Sequence, residues 1–84
     1  MSVDYDVREQ LPSDAVVFDN HAYDGAIIGT TLDGRVIYSF NKMIEELMED
    51  EGWSELEAIE WIEYNTLRAL PYAGEKAPII VSDI

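Results

Sequence analysis

The chain has 84 residues, 48% of them hydrophobic, no cysteine, and 18 Asp and Glu against 5 Lys and Arg, a net charge of −13 at pH 7. Chains of this size bury roughly 60 to 65% of their unfolded surface, too little for two cores, so residues 1–84 are expected to form one domain; two Trp, five Tyr and two Phe argue for folding rather than acidic disorder. Lack of cysteine excludes disulfides, thiolate metal sites and Cys nucleophiles, and the charge opposes direct binding to nucleic acid or anionic membranes, where Lys and Arg must displace counterions.

In chain order, residues 1–14 read as an irregular lead-in that closes on the turn signal Pro12-Ser13-Asp14. The opening residues lack the basic and apolar regions of a signal peptide, and no apolar run approaches the roughly 18 residues of a membrane span, so a cytoplasmic location is expected. Residues 15–18 (AVVF) suit a short strand. Two β-prone runs, 26–32 and 35–40, flank Asp33-Gly34, the pair favoured in a type I′ hairpin. A two-residue loop there sets Thr30 opposite Ile37 and Gly29 opposite Tyr38, with apolar side chains on both faces.

Asn41 is the expected N-cap of a helix of about ten residues that places Met43, Ile44, Leu47 and Met48 on one arc and ends at a C′ glycine, Gly52. Ser54-Glu55-Leu56-Glu57 is a capping box, with Trp53 in the staple position. On the second helix Ala58, Ile59, Ile62, Thr66 and Ala69 share a face and Leu67 falls off it. The helix is therefore expected to loosen near Asn65, in a left-handed C-terminal conformation, before Pro71. Pro78-Ile79-Ile80-Val81 reads as a last strand. The expected fold is α+β: a small antiparallel sheet of the hairpin and the C-terminal strand, with residues 15–18 as an optional member, packed against two consecutive helices.

Nine carboxylates and no Lys, Arg or His occupy residues 45–63. Glu55 and Glu57 sit in a first helical turn, where the dipole favours acids. Glu49, Asp50 and Glu51 crowd a last turn where it opposes them, and the pairs Glu45/Glu49 and Glu46/Asp50 repel by roughly 0.2 to 0.5 kcal/mol each. Solubility is the plainest account of such acid; adaptation to high salt and recognition of a basic protein surface are the others. If the contact is electrostatic, it is expected at Glu45, Glu46, Glu49, Asp50, Glu51, Glu60 and Glu63.

Catalytic signals are sparse. The single His21, among Asp19, Asn20 and Asp24, could act as a base or half of a metal site, but a turn whose Asp and Asn bond their own backbone is the favoured reading. Asp4-Tyr5-Asp6 is a fragment of an oxygen-ligand motif, and Ser54 and Thr66 have no histidine nearby in the pattern. Neither a catalytic residue, nor a metal ligand, nor a cofactor is assigned.

Tyr64-Asn65-Thr66, Pro71-Tyr72, Gly74-Glu75 and Pro78-Ile79-Ile80 follow a Glu57-Ala58-Ile59-Glu60 helix and an Asp33-Gly34-Arg35-Val36 hairpin. Over residues 19–81 this pattern resembles a widespread set of short acidic bacterial and phage proteins. The resemblance implies a prokaryotic or mobile-element origin and carries no activity. Tyr64, Asn65, Arg68 and Tyr72 form a second candidate surface, against which stands a structural reading: Asn65 capping, Arg68 paired with a carboxylate, Tyr72 packed under the loop. The functional expectation is a non-enzymatic protein-interaction domain contacting a basic partner. The alternative is a nucleic-acid mimic that occupies the basic groove of a DNA- or RNA-binding protein; a carboxylate/His21 hydrolase ranks below both. A homodimer through a free sheet edge is a further expectation.

Overall fold

A computed structural model describes residues 10–82. The first nine residues of the lead-in, with Asp4-Tyr5-Asp6, lie outside them. The Pro12 turn forms, its carbonyl accepting from the Ala15 N–H at 3.0 Å. Residues 15–18 join no strand. Instead Ala15, Val17 and Phe18 pack against the core, and the Phe18 N–H donates to the Tyr38 hydroxyl at 3.1 Å, so a side chain satisfies the amide that a ladder would have used. A short 3-10 segment, His21–Ala26, comes next, capped by Asn20, whose side chain accepts from the Ala22 N–H at 3.0 Å.

The hairpin forms between β1 (Ile27–Thr30) and β2 (Val36–Ser39), but in another register: Thr30 faces Val36, Gly29 faces Ile37, and Ile27 faces Tyr38 across a bulge. The loop has three residues, Leu32, Asp33 and Gly34. The Gly34 N–H donates to the Thr31 carbonyl, the Thr31 N–H to the Arg35 carbonyl, and Gly34 takes φ of 90°. This is the turn with a left-handed glycine at its end that closes three-residue hairpins. The side chain of Thr31 stabilises it, bonding the Asp33 carboxylate and accepting from the Arg35 N–H at 2.9 Å. The shift leaves β2 turned inward, with Val36, Tyr38 and Ser39 fully buried.

β2 runs directly into α1 (Phe40–Glu51). Ser39, not Asn41, is its N-cap, accepting from the Lys42 N–H at 3.2 Å, while Gly52 ends it as expected at φ of 73°. Met43, Ile44 and Leu47 enter the core, and Met48 remains 37% exposed. At α2 (Glu55–Trp61) both halves of the capping box form, at 2.9 and 3.2 Å. Beyond it the helix continues through a π segment, Ile62–Thr66, into a 3-10 segment, Leu67–Tyr72. No left-handed residue sits at Asn65. The loosening there is one extra residue in a turn, marked by the Leu67 N–H donating to the Ile62 carbonyl. Thr66 is buried as expected, but the extra residue rotates the remainder of the helix, so Leu67 packs on the core and Ala69, expected inside, is exposed.

The last strand, β3 (Ile79–Val81), pairs parallel with β2, Ile37 opposite Ile79 and Ser39 opposite Val81, giving the order β1-β2-β3. The sheet is therefore mixed rather than antiparallel, because the two helices form a crossover that returns the chain to the end of the sheet where β2 began. The α+β class holds. Around β2 the core gathers Tyr23, Ala26, Met43, Ile44, Leu47, Ala58 and Ile62; each large apolar side chain buried there contributes roughly 1.5 to 3 kcal/mol. Among the described residues no helix is long and apolar enough to cross a membrane.

Candidate functional site

α1 presents its carboxylates as its sequence requires: the apolar arc faces the core, and Glu45, Glu49, Asp50 and Glu51 stand exposed on the other side. Among the described residues none of them lies in an ion pair; the pair found is His21 with Asp24, at 3.3 Å. Three of the four described cations are engaged elsewhere. The Arg35 Nε donates to the Ala77 carbonyl at 2.9 Å, the Lys76 ammonium to the Asp33 carbonyl, and the Arg68 guanidinium lies 5.3 Å from the centre of the Tyr64 ring. Lys42 acts on Glu46, where the neighbouring acids outweigh it.

Glu46 is the exception on α1. It is half-buried, its carboxylate lying against Gly25, where a β-carbon would collide with it. Burial holds its pKa above the ordinary glutamate value, and the charges of Glu49, Glu45 and Asp50 push it the same way. Four of the expected contact residues therefore share one electrostatic neighbourhood.

Glu60 and Glu63 belong to a different grouping. Trp53, at the corner between the helices, meets Trp61 with ring centres 5.3 Å apart and planes tilted by 49°. Together with Glu57, Glu60, Tyr64 and Asn65 they line an open groove of about 520 Å³. Trp61 is 41% and Tyr64 68% exposed, large aromatic areas to leave in water. Glu63 lies with Tyr64 and Arg68 in an adjoining hollow. Of the second candidate surface, Tyr64, Asn65 and Arg68 come together here. Arg68 stacks on Tyr64 rather than pairing with a carboxylate, and the Asn65 amide donates to the Trp61 carbonyl at 3.2 Å. Tyr72 is 89% exposed on the 3-10 segment and lines no part of the groove.

Trp53 and Trp61 were not among the candidates, although their signal is in the sequence. Glu57, Glu60, Trp61 and Tyr64 recur at helical spacing on the face opposite the core stripe, beside Trp53. The Tyr23 hydroxyl and the Thr66 hydroxyl share a buried hydrogen bond of 2.8 Å. The burial dominates and raises the Tyr23 pKa.

The His21 side chain is exposed at the start of the 3-10 segment and pairs with Asp24, its neighbour one turn on. Among the described residues no three His, Cys, Asp or Glu side chains are grouped so as to hold a metal ion. No family model, curated protein or solved structure matches the chain, so the functional reading rests on this geometry.

Proposed function

We propose that this domain works by binding another protein, and that the partner brings a basic surface to the acidic faces of α1 and α2. The observation that carries the reading is the exposed row of Glu45, Glu49, Asp50 and Glu51, which repel one another and have no ion-pair partner among the described residues. Local structure gains nothing from them, while a basic partner would be steered to them, associating faster at low salt and more weakly at high salt. The reading is non-enzymatic, cytoplasmic and of prokaryotic or mobile-element origin, supported by the cysteine-free composition and the resemblance to short acidic bacterial and phage proteins.

The test is affinity capture from bacterial lysate, comparing the natural chain with one carrying Glu45→Lys, Glu46→Lys, Glu49→Lys and Asp50→Lys. A partner released by salt and lost by the reversed chain is the expected result. A partner retained by the reversed chain refutes the reading. Displacement of the captured partner by duplex DNA would identify the acidic row as a nucleic-acid mimic. The sheet edge offers a second contact, since β1 has no outer strand among the described residues and Ile28 on it is 49% exposed. Light scattering that gives a monomer at high concentration removes pairing of two copies there.

A further inference from the structure

We infer that the groove between Trp53, Trp61 and Tyr64 seats an arginine side chain of the partner, an inference that rests on the proposed binding role and specifies its central contact. The groove combines two properties that few ligands satisfy together. Three aromatic rings line it, Trp61 and Tyr64 substantially exposed, together with Glu57 and Glu60, and among the described residues no cation lines it. A purely apolar occupant would cover those rings but strip water from carboxylates left without partners. An ammonium would answer the charge but is strongly hydrated and compact. A guanidinium is planar, more weakly hydrated, stacks on aromatic faces and forks to carboxylate oxygens, so one group meets both demands.

The carboxylates are unequal. One oxygen of Glu57 accepts from the Ser54 N–H in the capping box, which ties that side chain to the helix start. Glu60 is exposed and makes no hydrogen bond or ion pair within the described residues, so it is the acid available to an incoming fork. The next turn of the same surface already shows the interaction in miniature: Arg68 holds its guanidinium 5.3 Å from the Tyr64 ring centre. The groove supplies a larger aromatic lining for the same kind of contact, delivered from outside. Arginine, tryptophan and tyrosine are also the residues enriched at the energetic centres of protein interfaces.

The experiment uses the full chain and two fluorescein-labelled nonapeptides, identical Lys- and Ser-containing sequences with either arginine or lysine at the centre, read by fluorescence anisotropy and by tryptophan emission. The arginine peptide is expected to bind about three- to tenfold more tightly than the lysine peptide and to change the tryptophan emission. Trp61→Ala is expected to remove that preference, Glu60→Gln to reduce it about threefold, and Glu75→Gln, exposed and outside both the groove and the acidic row, to leave it unchanged. If Trp61→Ala fails to fold, judged by circular dichroism, Glu60→Gln carries the test. A preference near one in the natural chain, a preference that survives both groove variants, or no binding of either peptide overturns the inference. Salt-sensitive binding of both peptides without preference, abolished by the α1 reversals, would overturn the groove and leave the basic-partner reading intact. Arginine-selective binding that the α1 reversals leave untouched would do the opposite.

Discussion

Removing the Tyr23 hydroxyl isolates the buried polar contact that joins the 3-10 segment before the sheet to the π segment after α2. Tyr23 is 1% and Thr66 7% exposed, and their oxygens are 2.8 Å apart. Tyr23→Phe keeps the ring, and with it the edge contacts to Phe18 and Tyr38 at 5.7 and 6.4 Å, so packing is largely conserved. What changes is that the buried Thr66 hydroxyl loses its partner, at a cost of about 1 to 3 kcal/mol. Thr66→Val orphans the buried Tyr23 hydroxyl in turn and is expected to cost a similar amount. The double variant has no hydroxyl to orphan across the pair, and its cost is expected to fall below the sum of the singles by about 1 kcal/mol. Urea unfolding followed by tryptophan fluorescence measures all four corners of the cycle, and thermal melts check it at roughly 4 to 8 °C per kcal/mol for a domain of this size. Additive singles, or a Tyr23→Phe effect below about 0.3 kcal/mol, would refute the assignment of this hydroxyl pair as a structural tie.

Glu46 binds its proton more readily in the folded chain than in the unfolded one, so its contribution to stability falls as pH rises from the ordinary glutamate value through the raised one. Glu46→Gln is therefore expected to be more stable than the natural chain at pH 7, the gap closing below about pH 4; urea midpoints across that range decide it, and a gap independent of pH refutes it. Gly25→Ala, whose methyl would displace the Glu46 carboxylate, should flatten the same pH dependence in the same titration. Gly52→Ala forces a side chain onto φ of 73° and is expected to cost about 1 kcal/mol, whereas Gly29→Ala, with open space around it, should cost nothing measurable in parallel thermal melts. Ser54→Ala removes one arm of the capping box and should lower stability by about 1 kcal/mol with a loss of helical signal at 222 nm; Ser54→Asn should recover most of it.

What the sequence shows plainly is chemistry completed within a few residues: the Gly52 stop, the capping box at Ser54 and the turn at Asp33-Gly34. The register of that turn was hidden because Asp-Gly serves both two- and three-residue loops, and the choice falls to the Thr31 side chain. Ser39 escaped notice as a cap because it also ends a strand, and the parallel pairing of β3 because nothing local encodes which side of β2 a distant segment will reach. At the candidate site the charges were visible and their grouping was not. Glu46 turns partly inward because Gly25 leaves room for it, and Glu60 joins a tryptophan pair that attention to charge alone passes over.

The parallel pairing of β2 with β3 also bears on how the chain reaches its fold. β1 and β2 meet across a three-residue loop, but Ile37 meets Ile79 only after both helices have intervened, so closing the third strand costs more chain entropy than any other step of sheet assembly. Until it closes, the inner edge of β2, flanked by the most buried side chains of the protein, is open to pairing with a neighbouring molecule. The segment that must pass by in the meantime is the one carrying nine carboxylates and no basic residue, which gives every partly assembled molecule a repulsive coat while its most adhesive strand is uncovered.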